Sequence, residues 1–393
     1  MRVLMVSREY PPFIVGGAGV HTGHLVKYLR RLGVNVKVVA FGDPSFSDNE
    51  IKFIKPKSSI LERGKTTIAS DIRVFEDILR LVSYVKKEIE REYYDVVHVQ
   101  EPYVGGIISY HKRKVTTIHD TSFGEIKGYL KYPTTQSFKR ALFYVTLGYE
   151  MEFLSIINSK LIISPSYDVA WELLRVYRVP RDKIRVILNG IEDPQEEVNR
   201  DSAREILNLA KDVIIIFTTG QHIGRKRFST LIHAARHLKV AGLKNFLIIL
   251  GGEGPLTPFL KRLAEELNVK DIVHFAGWIP NNQLPLYYRV ADVFVITSEY
   301  EAGPLTMLEA GIRGIPLVVS DSPSGFMMLA RENVDCLKFR TGDSVDLARK
   351  LTLLIESPDL RREFGKKATE FASRFKWDKI AERTLEVYKE LLV

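Results

Sequence analysis

Twice along the chain, short runs of aliphatic and β-branched residues alternate with stretches of helical spacing. The first set comprises RVLMVS (2–7), VKVVAFG (36–42), DVVHVQ (95–100), KVTTIHD (114–120), LIISPS (161–166) and IRVILNG (184–190). After a polar stretch at 191–201 the rhythm restarts with DVIIIFTTG (212–220), FLIILGG (246–252), IVHFAGW (272–278), VFVITS (293–298), IPLVVSD (315–321) and CLKF (336–339). Runs this apolar, without polar alternation, read as strands buried on both faces, the habit of parallel sheets. Apolar residues at i, i+3 and i+4 mark helices over 20–32, 72–92, 137–157, 228–239, 257–267 and 304–313, and a terminal amphipathic helix over 377–392. The alternation predicts an α/β chain of two doubly wound parallel-sheet domains joined near residue 195, with 191–201 as the hinge. In open sheets of this type ligands bind beyond the carboxyl ends of the strands, so two such domains facing across a cleft would hold the site between them.

The 393 residues agree with two domains at ~150 residues each. Lys and Arg number 57 against 48 Asp and Glu, and the resulting charge of +9 favours anionic partners such as phosphorylated ligands, acidic lipid headgroups or nucleic acid. One cysteine, Cys336, excludes an intramolecular disulfide and a cysteine metal cluster, and reads as a small buried apolar residue. The opening MRVLMVSREYPP is too short for the apolar region of a signal peptide. Stretches such as 141–149 and 213–217 fall well below the ~18 apolar residues of a membrane span, so a cytoplasmic protein is expected.

Several motifs fall at the ends of the expected strands. GGAGVH (16–21) leads into a helix and would offer backbone N–H groups to a phosphate or substrate oxygen. It fails as a nicotinamide fingerprint, because Thr22 stands where the third glycine belongs. His119 closes TTIHDTS, where it could hydrogen-bond a substrate hydroxyl with Asp120 orienting it, and Glu101 follows the preceding strand as an acceptor contact. TTGQHIGRKRFSTLI (218–232) sets Arg225, Lys226 and Arg227 beside a helix start, an arrangement suited to a diphosphate. The absence of interleaved aromatic residues argues against nucleic acid there. In SEYEAGPLTMLEAG (298–311), Glu301 and Glu309 stand eight apart with Pro304 in the first turn of a helix. Glu309 would lie at a depth suited to ribose hydroxyls, with Glu301 and the 303–305 backbone at the helix mouth.

Taken together, YPPFIVGGAGVHTGHLVKYLRRLG, DVVHVQEP, TTIHDTS, KIRVILNGIE, ILGGEGP, VHFAGWIPNNQLPLYYRVADVFVITS, the Glu-x7-Glu motif and FKWDKIAERTLEVYKELL resemble the retaining glycosyltransferases of family 4, nearly end to end. The resemblance implies the GT-B fold: an acceptor-binding Rossmann-like domain over 1–195, a nucleotide-sugar-binding one over 196–374, and a last helix, 375–393, returning to the first. It implies that Glu309 holds the ribose, that Glu301 and His119 act at the donor sugar, and that Lys226 neutralises the diphosphate. Gly17, Gly303, Pro304 and Leu305 would contribute backbone contacts, and Trp278 would lie near the base. Transfer would proceed with retention, from a nucleotide-diphosphate sugar to a hydroxyl. No metal or other cofactor is expected, since the chain contains no Asp-x-Asp.

Some positions depart from the family pattern. Gln221 stands at the donor position where the family has arginine, and Arg225 or Arg227 is expected to supply the missing cation. Met328 replaces a glutamate and Cys336 a glycine. A lipid-linked acceptor is favoured over a soluble sugar. HVQEP resembles lipid-acceptor members, and the basic, aromatic stretch 127–149 could rest on the inner, anionic face of a membrane. The alternatives are a catalytically silent nucleotide-sugar-binding subunit and a nucleotide-sugar epimerase on the same fold.

Overall fold

The computed structural model describes residues 1–58, 61, 72–108, 111–131, 138, 141–195, 198–301 and 303–393. The chain divides into two compact units, Met1–Gly190 with Trp377–Val393, and Ile191–Lys376. The first contains a seven-stranded parallel sheet: β1 (Arg2–Val6), β2 (Asn35–Phe41), β3 (Ile51–Ile54), β4 (Val96–Val99), β5 (Lys114–Thr117), β6 (Leu161–Ser164) and β7 (Ile184–Val186), in the order 3-2-1-4-5-6-7. The second contains six parallel strands: β8 (Ile214–Thr219), β9 (Phe246–Gly251), β10 (Val273–Gly277), β11 (Val293–Ile296), β12 (Leu317–Ser320) and β13 (Leu337–Phe339), in the order 10-9-8-11-12-13. Both sheets are Rossmann-like and reverse direction of strand order beside their first strand.

Burial on both faces explains the unbroken apolar runs. In β1, Val3 and Met5 pack with Leu25 and Leu29 of helix Gly17–Arg31, while Leu4 and Val6 pack with Leu81 and Val85 of helix Ile72–Arg91. All four β1 side chains are fully buried, each worth about 1.5–3 kcal/mol relative to exposure. In the second unit, Ile216 and Ile248 face Leu231 and Leu238 of helix Phe228–Val240, and Phe217 on the other face meets the Tyr288 ring of helix Leu284–Val290 edge-on. Sequence reading missed β3, an edge strand in which Lys52 interrupts the apolar run and only Phe53 is buried. It also missed the short helices Pro102–Ile107 and Leu284–Val290, which hold too few turns to establish a period. The helix expected over 137–157 is a π-helical segment, Tyr144–Gly148, continuing into helix Tyr149–Asn158. Residues 132–137 and 139–140 of the basic, aromatic stretch lie outside the described residues, as do 196–197 of the expected hinge.

The terminal helix Trp377–Glu390 belongs to the first unit. Trp377 stacks on His24 at 5.4 Å, and a Cβ on Gly190 would lie 2.7 Å from its indole. Further along, the Tyr388 hydroxyl meets His98 Nδ1 at 2.6 Å, both groups buried. The units divide at 190/191, ahead of 195/196, because Ile191 is itself buried in the second unit, where its N–H donates to the Phe375 carbonyl at 2.7 Å. Among the described residues no helix is long and apolar enough to cross a membrane.

Tyr388→Phe removes the hydroxyl partner of the buried His98 Nδ1; we expect a loss of about 1–3 kcal/mol in urea unfolding, against no measurable change for the exposed Tyr93→Phe.

Candidate active site

In the second unit, the loops after β8 and β11 leave the sheet on either side of its switch point, and their charges meet at one carboxylate. Glu301 is buried. Its Oε1 accepts from Lys226 Nζ and, at 2.5 Å, from Ser298 Oγ, while its Oε2 accepts from Arg225 Nη1 at 3.0 Å. Burial pushes this carboxyl up, but Lys226 and Arg225 outweigh burial and hold it at about 2. The Glu301 N–H donates to Ser324 Oγ at 3.0 Å, a partner the sequence did not point to. Gly325, at φ +54°, brings that loop so close that a Cβ would lie 2.5 Å from the Glu301 carbonyl.

Arg225 and Lys226 sit on a single 3₁₀ turn, Gly224–Lys226, directly before helix Phe228–Val240, whose N-terminus no side chain caps. Arg227 occupies the left-handed position between them and the helix, and its Nε donates to Glu299 Oε2 at 2.9 Å. Arg225 is therefore the arginine that reaches Glu301, and Arg227 is committed to Glu299. Gln221 is exposed in the same loop. A Cβ on Gly252, φ +101°, would lie 2.0 Å from the Gly220 carbonyl, so glycine alone lets the loop after β9 close against this turn. Trp278 follows a register shift at the end of β10 and is half exposed.

Gly303 precedes Pro304, which caps helix Leu305–Ile312 rather than entering its first turn as the sequence reading had it; Leu305 is the first helical residue. Glu309 lies partly buried on that helix, and its Oε2 accepts from the Tyr288 hydroxyl at 2.6 Å. Tyr288 is a second residue that sequence reading missed, since it lies on the unrecognised helix.

In the first unit, β1, β4 and β5 are neighbours, so Arg8, Glu101 and His119 emerge along one edge. The loop after β1 is organised by Glu9, which is buried: its Oε2 accepts from the N–H groups of Val15 and Gly16, each at 2.7 Å. Of the backbone donors expected over 16–21, that of Gly16 is thus already engaged. Gly17 starts the helix with nothing within 4 Å of where a Cβ would stand. Arg8 donates to Glu9 Oε1 at 2.6 Å and lies 3.9 Å from Glu101 Oε2. Burial raises the Glu101 carboxyl, with Arg8 opposing.

His119 Nε2 stands 2.9 Å from Gln100 Oε1, a partner the sequence did not point to. A chain of hydrogen bonds follows. With Oε1 accepting, Nε2 carries the proton and Nδ1 is left as an acceptor. The Gln100 amide in turn donates to His98 Nε2 at 3.1 Å, where Thr117 Oγ1 also stands at 2.7 Å, and His98 Nδ1 meets the Tyr388 hydroxyl. His21 packs edge-on against His119 at 4.9 Å and meets Asn189 Oδ1 at 2.9 Å.

Residues 15–194 match the family model described as Glycosyltransferase Family 4, and residues 199–371 match Glycosyl transferases group 1. The chain belongs to this glycosyltransferase family. An uncharacterized glycosyltransferase of Methanocaldococcus jannaschii is 27% identical to it over 403 residues, covering 99% of this chain and 98% of that one. The alpha-maltose-1-phosphate synthase of Mycolicibacterium smegmatis is 25% identical over 426 residues and covers 100% of both. A D-inositol 3-phosphate glycosyltransferase of Saccharomonospora viridis is 28% identical over 230 residues, 56% of this chain and 53% of that protein. Among solved structures, the sucrose-phosphate synthase of Thermosynechococcus elongatus has a TM-score of 0.74 at 21% identity, covering 100% of this chain and 99% of that one. Anabaena HepE in complex with UDP-glucose has a TM-score of 0.72 at 18% identity, covering 99% and 100%. These likenesses establish the fold as GT-B.

Burial disfavours the charged form of three histidines of the first unit, His21, His98 and His119. Burial, with His21 adding repulsion, lowers His98 to about 3; burial, with His98 and Arg8, lowers His119 to about 4; and burial depresses His21 as well. An unfolded chain protonates these rings near ~6.5 and the native one does not, so each stabilises the fold above ~6.5 and loses that contribution as pH falls toward 4 and 3. Stability measured by urea unfolding should therefore fall between pH 7 and 4. His98→Gln should flatten the slope by up to about 1.4 kcal/mol per pH unit. An unchanged slope would mean His98 is not neutral in the native state.

Proposed function

We propose that this enzyme transfers a sugar, with retention, from a nucleotide-diphosphate sugar to a hydroxyl acceptor without a metal ion. The observation that carries this reading is the convergence of Arg225 and Lys226 on buried Glu301, beside a helix N-terminus that no side chain caps. Two cations already desolvated in one turn are suited to the charge that grows on a departing diphosphate. The acceptor oxygen forms its bond to the anomeric carbon on the face from which the diphosphate leaves. The carbon–oxygen bond to phosphate breaks with its electron pair going to the leaving group, and a phosphate oxygen receives the acceptor proton.

Glu309 binds the ribose, using the oxygen edge that Tyr288 leaves open, and Trp278 lies by the base. Gln221 offers a neutral amide donor to the phosphates. The 303–305 backbone and Gly17 approach the sugar or phosphate. A sugar hydroxyl donates to His119 Nδ1, the acceptor position implied by the Gln100 hydrogen bond. Arg225 replaces the arginine lost at Gln221; its bond to Glu301 supports this choice over Arg227, which pairs with Glu299. Supporting metal independence, the chain has no Asp-x-Asp, and these two cations meet the same charge a metal would.

Glu101 faces the acceptor. A lipid-linked acceptor is favoured over a soluble sugar, with the enzyme cytoplasmic and peripheral at the inner membrane face. Supporting this, Phe138, Leu142, Val145, Phe153 and Ile157 are all exposed at spacings of three to eight residues, with Lys127 exposed nearby in sequence. Apolar side chains bordered by cations suit the interface of an anionic bilayer.

Thermal-shift titrations with UDP, GDP, ADP and CMP, with and without magnesium, test the donor reading. One nucleotide should raise the midpoint of the wild type independently of magnesium and leave Glu309→Ala unshifted; Arg225→Ala should weaken it at least tenfold, Arg227→Ala far less. If no nucleotide shifts the wild type, a donor-binding enzyme is ruled out. Separately, the protein should sediment with anionic vesicles at low salt and be released as salt rises. Failure to sediment would leave a soluble sugar acceptor.

A further inference from the structure

Strands β11 and β12 pair from Phe294 with Leu317 to Ile296 with Val319. Beyond that point the two chains leave the sheet, and Pro323 has no N–H with which to continue the pairing. Serine hydroxyls continue it. Ser320 Oγ donates to the Ser298 carbonyl at 2.5 Å, Ser322 Oγ donates to the Glu299 carbonyl at 2.6 Å, and Ser324 Oγ accepts from the Glu301 N–H at 3.0 Å. These partners stand 22, 23 and 23 residues apart, so the register of the sheet runs on to Glu301 in side-chain bonds. Ser298, Ser320, Ser322 and Ser324 are all buried. On its other flank the loop after β11 is tied to the cationic turn after β8: the Glu299 N–H donates to the Arg225 carbonyl at 2.8 Å, and Thr297 Oγ1 donates to the Lys226 carbonyl at 2.6 Å. The two flanks follow from the sheet order, in which β11 lies between β8 and β12.

Proton counting gives the serine bonds a direction, since each hydroxyl holds one proton and can accept as well. The Ser322 proton goes to the Glu299 carbonyl, so in the 2.8 Å contact between Ser322 and Ser324 it is Ser324 that donates. The Ser324 oxygen meanwhile accepts from Glu301. The bonds thus run from the Glu301 N–H through Ser324 and Ser322 back to the Glu299 carbonyl, a closed circuit spanning residues 299–301. Ser298 completes the hold: its carbonyl is bound by Ser320, and its own Oγ reaches Glu301 Oε1 at 2.5 Å. In a buried circuit each bond polarises the next, and removing one hydroxyl leaves a desolvated donor or acceptor without a partner.

We propose that Ser322 and Ser324 are positioning residues, which hold the Glu301 carboxylate on Arg225 and Lys226 and so present it to the donor sugar. The side chains that meet the nucleotide itself are others: Glu309, oriented by Tyr288, and the two cations. Ser322 and Ser324 bond instead to the backbone of 299–301, so their loss displaces Glu301 and spares the nucleotide contacts. The role at the sugar rests on the donor reading of Glu301; the circuit does not.

Hydrogen exchange of the full chain, read at the Glu301 amide, tests the circuit. Ser324→Ala and Ser322→Ala should each speed that amide roughly tenfold or more while the amides of β9 keep their rates. Ser324→Thr, at an extended residue whose backbone suits threonine, should keep the wild-type rate. Calorimetry with UDP, GDP and ADP and with their glucose esters tests the role. For the base that binds, both alanine variants should leave the nucleotide Kd within about twofold and weaken the nucleotide sugar roughly fivefold or more, and Ser324→Thr should restore it. An unchanged Glu301 amide, or one that speeds only together with β9, would overturn the circuit. Nucleotide and nucleotide sugar weakened alike, or neither weakened, would overturn the positioning role. Absence of nucleotide binding by the wild type would remove the donor reading and with it the role at the sugar, whereas selective exchange at Glu301 would leave the circuit standing.

Discussion

Burial of the sheet strands on both faces is the constraint from which the rest follows. With Val3 to Val6 of β1 all without exposure, no strand interior in that sheet can present a charged group to a ligand without losing its packing. Polar function is therefore displaced to the loops at the strand ends. In both units the first strand lies between an earlier-wound and a later-wound neighbour, so consecutive loops turn away to opposite faces and open a crevice. Arg8 and Glu101 flank that position in one unit, and Arg225 and Glu301 flank it in the other.

Within these crevices, charge is balanced by small internal clusters. Glu301 serves as counter-ion to two cations that would otherwise repel one another across a partly desolvated turn. The cluster still carries one positive charge in excess, which leaves attraction for an anion. The arrangement after β1 is the converse, one arginine between two carboxylates, Glu9 and Glu101. There Glu9 also ties down the glycine loop through two backbone donors, so the loop is set before any ligand arrives. Removing one member of such a buried pair is costly because the partner is left desolvated and alone.

The terminal helix contributes to the same economy of positions. Hydrogen bonds link His119 through Gln100 and His98 to Tyr388. A residue near the end of the chain is thereby tied to a histidine at the end of β5. Such long-range support is the usual way a site side chain is held in one orientation.

The strand runs, the glycine turns and the Glu-x7-Glu spacing were legible in the sequence because they are local: burial on both faces demands continuous apolar residues, and a tight turn demands glycine at a particular place. The family resemblance rested on those same local features. β3 was not legible, because an edge strand is covered less and tolerates Lys52. Nor were Glu9, Gln100, Tyr288 and Ser324 as supports of the site, since each acts through a partner that folding brings near, across 19 to 23 residues for the last three. The choice of Arg225 over Arg227 was likewise tertiary: adjacent cations are equivalent in sequence, and only the turn geometry sends one to Glu301 and the other to Glu299. The sequence by itself determined which segments become strands and which loops carry charge, because periodicity and burial act locally. Which charges meet and which histidine nitrogen is left as an acceptor were decided by tertiary structure, because electrostatic partners are set by distance in space and not along the chain.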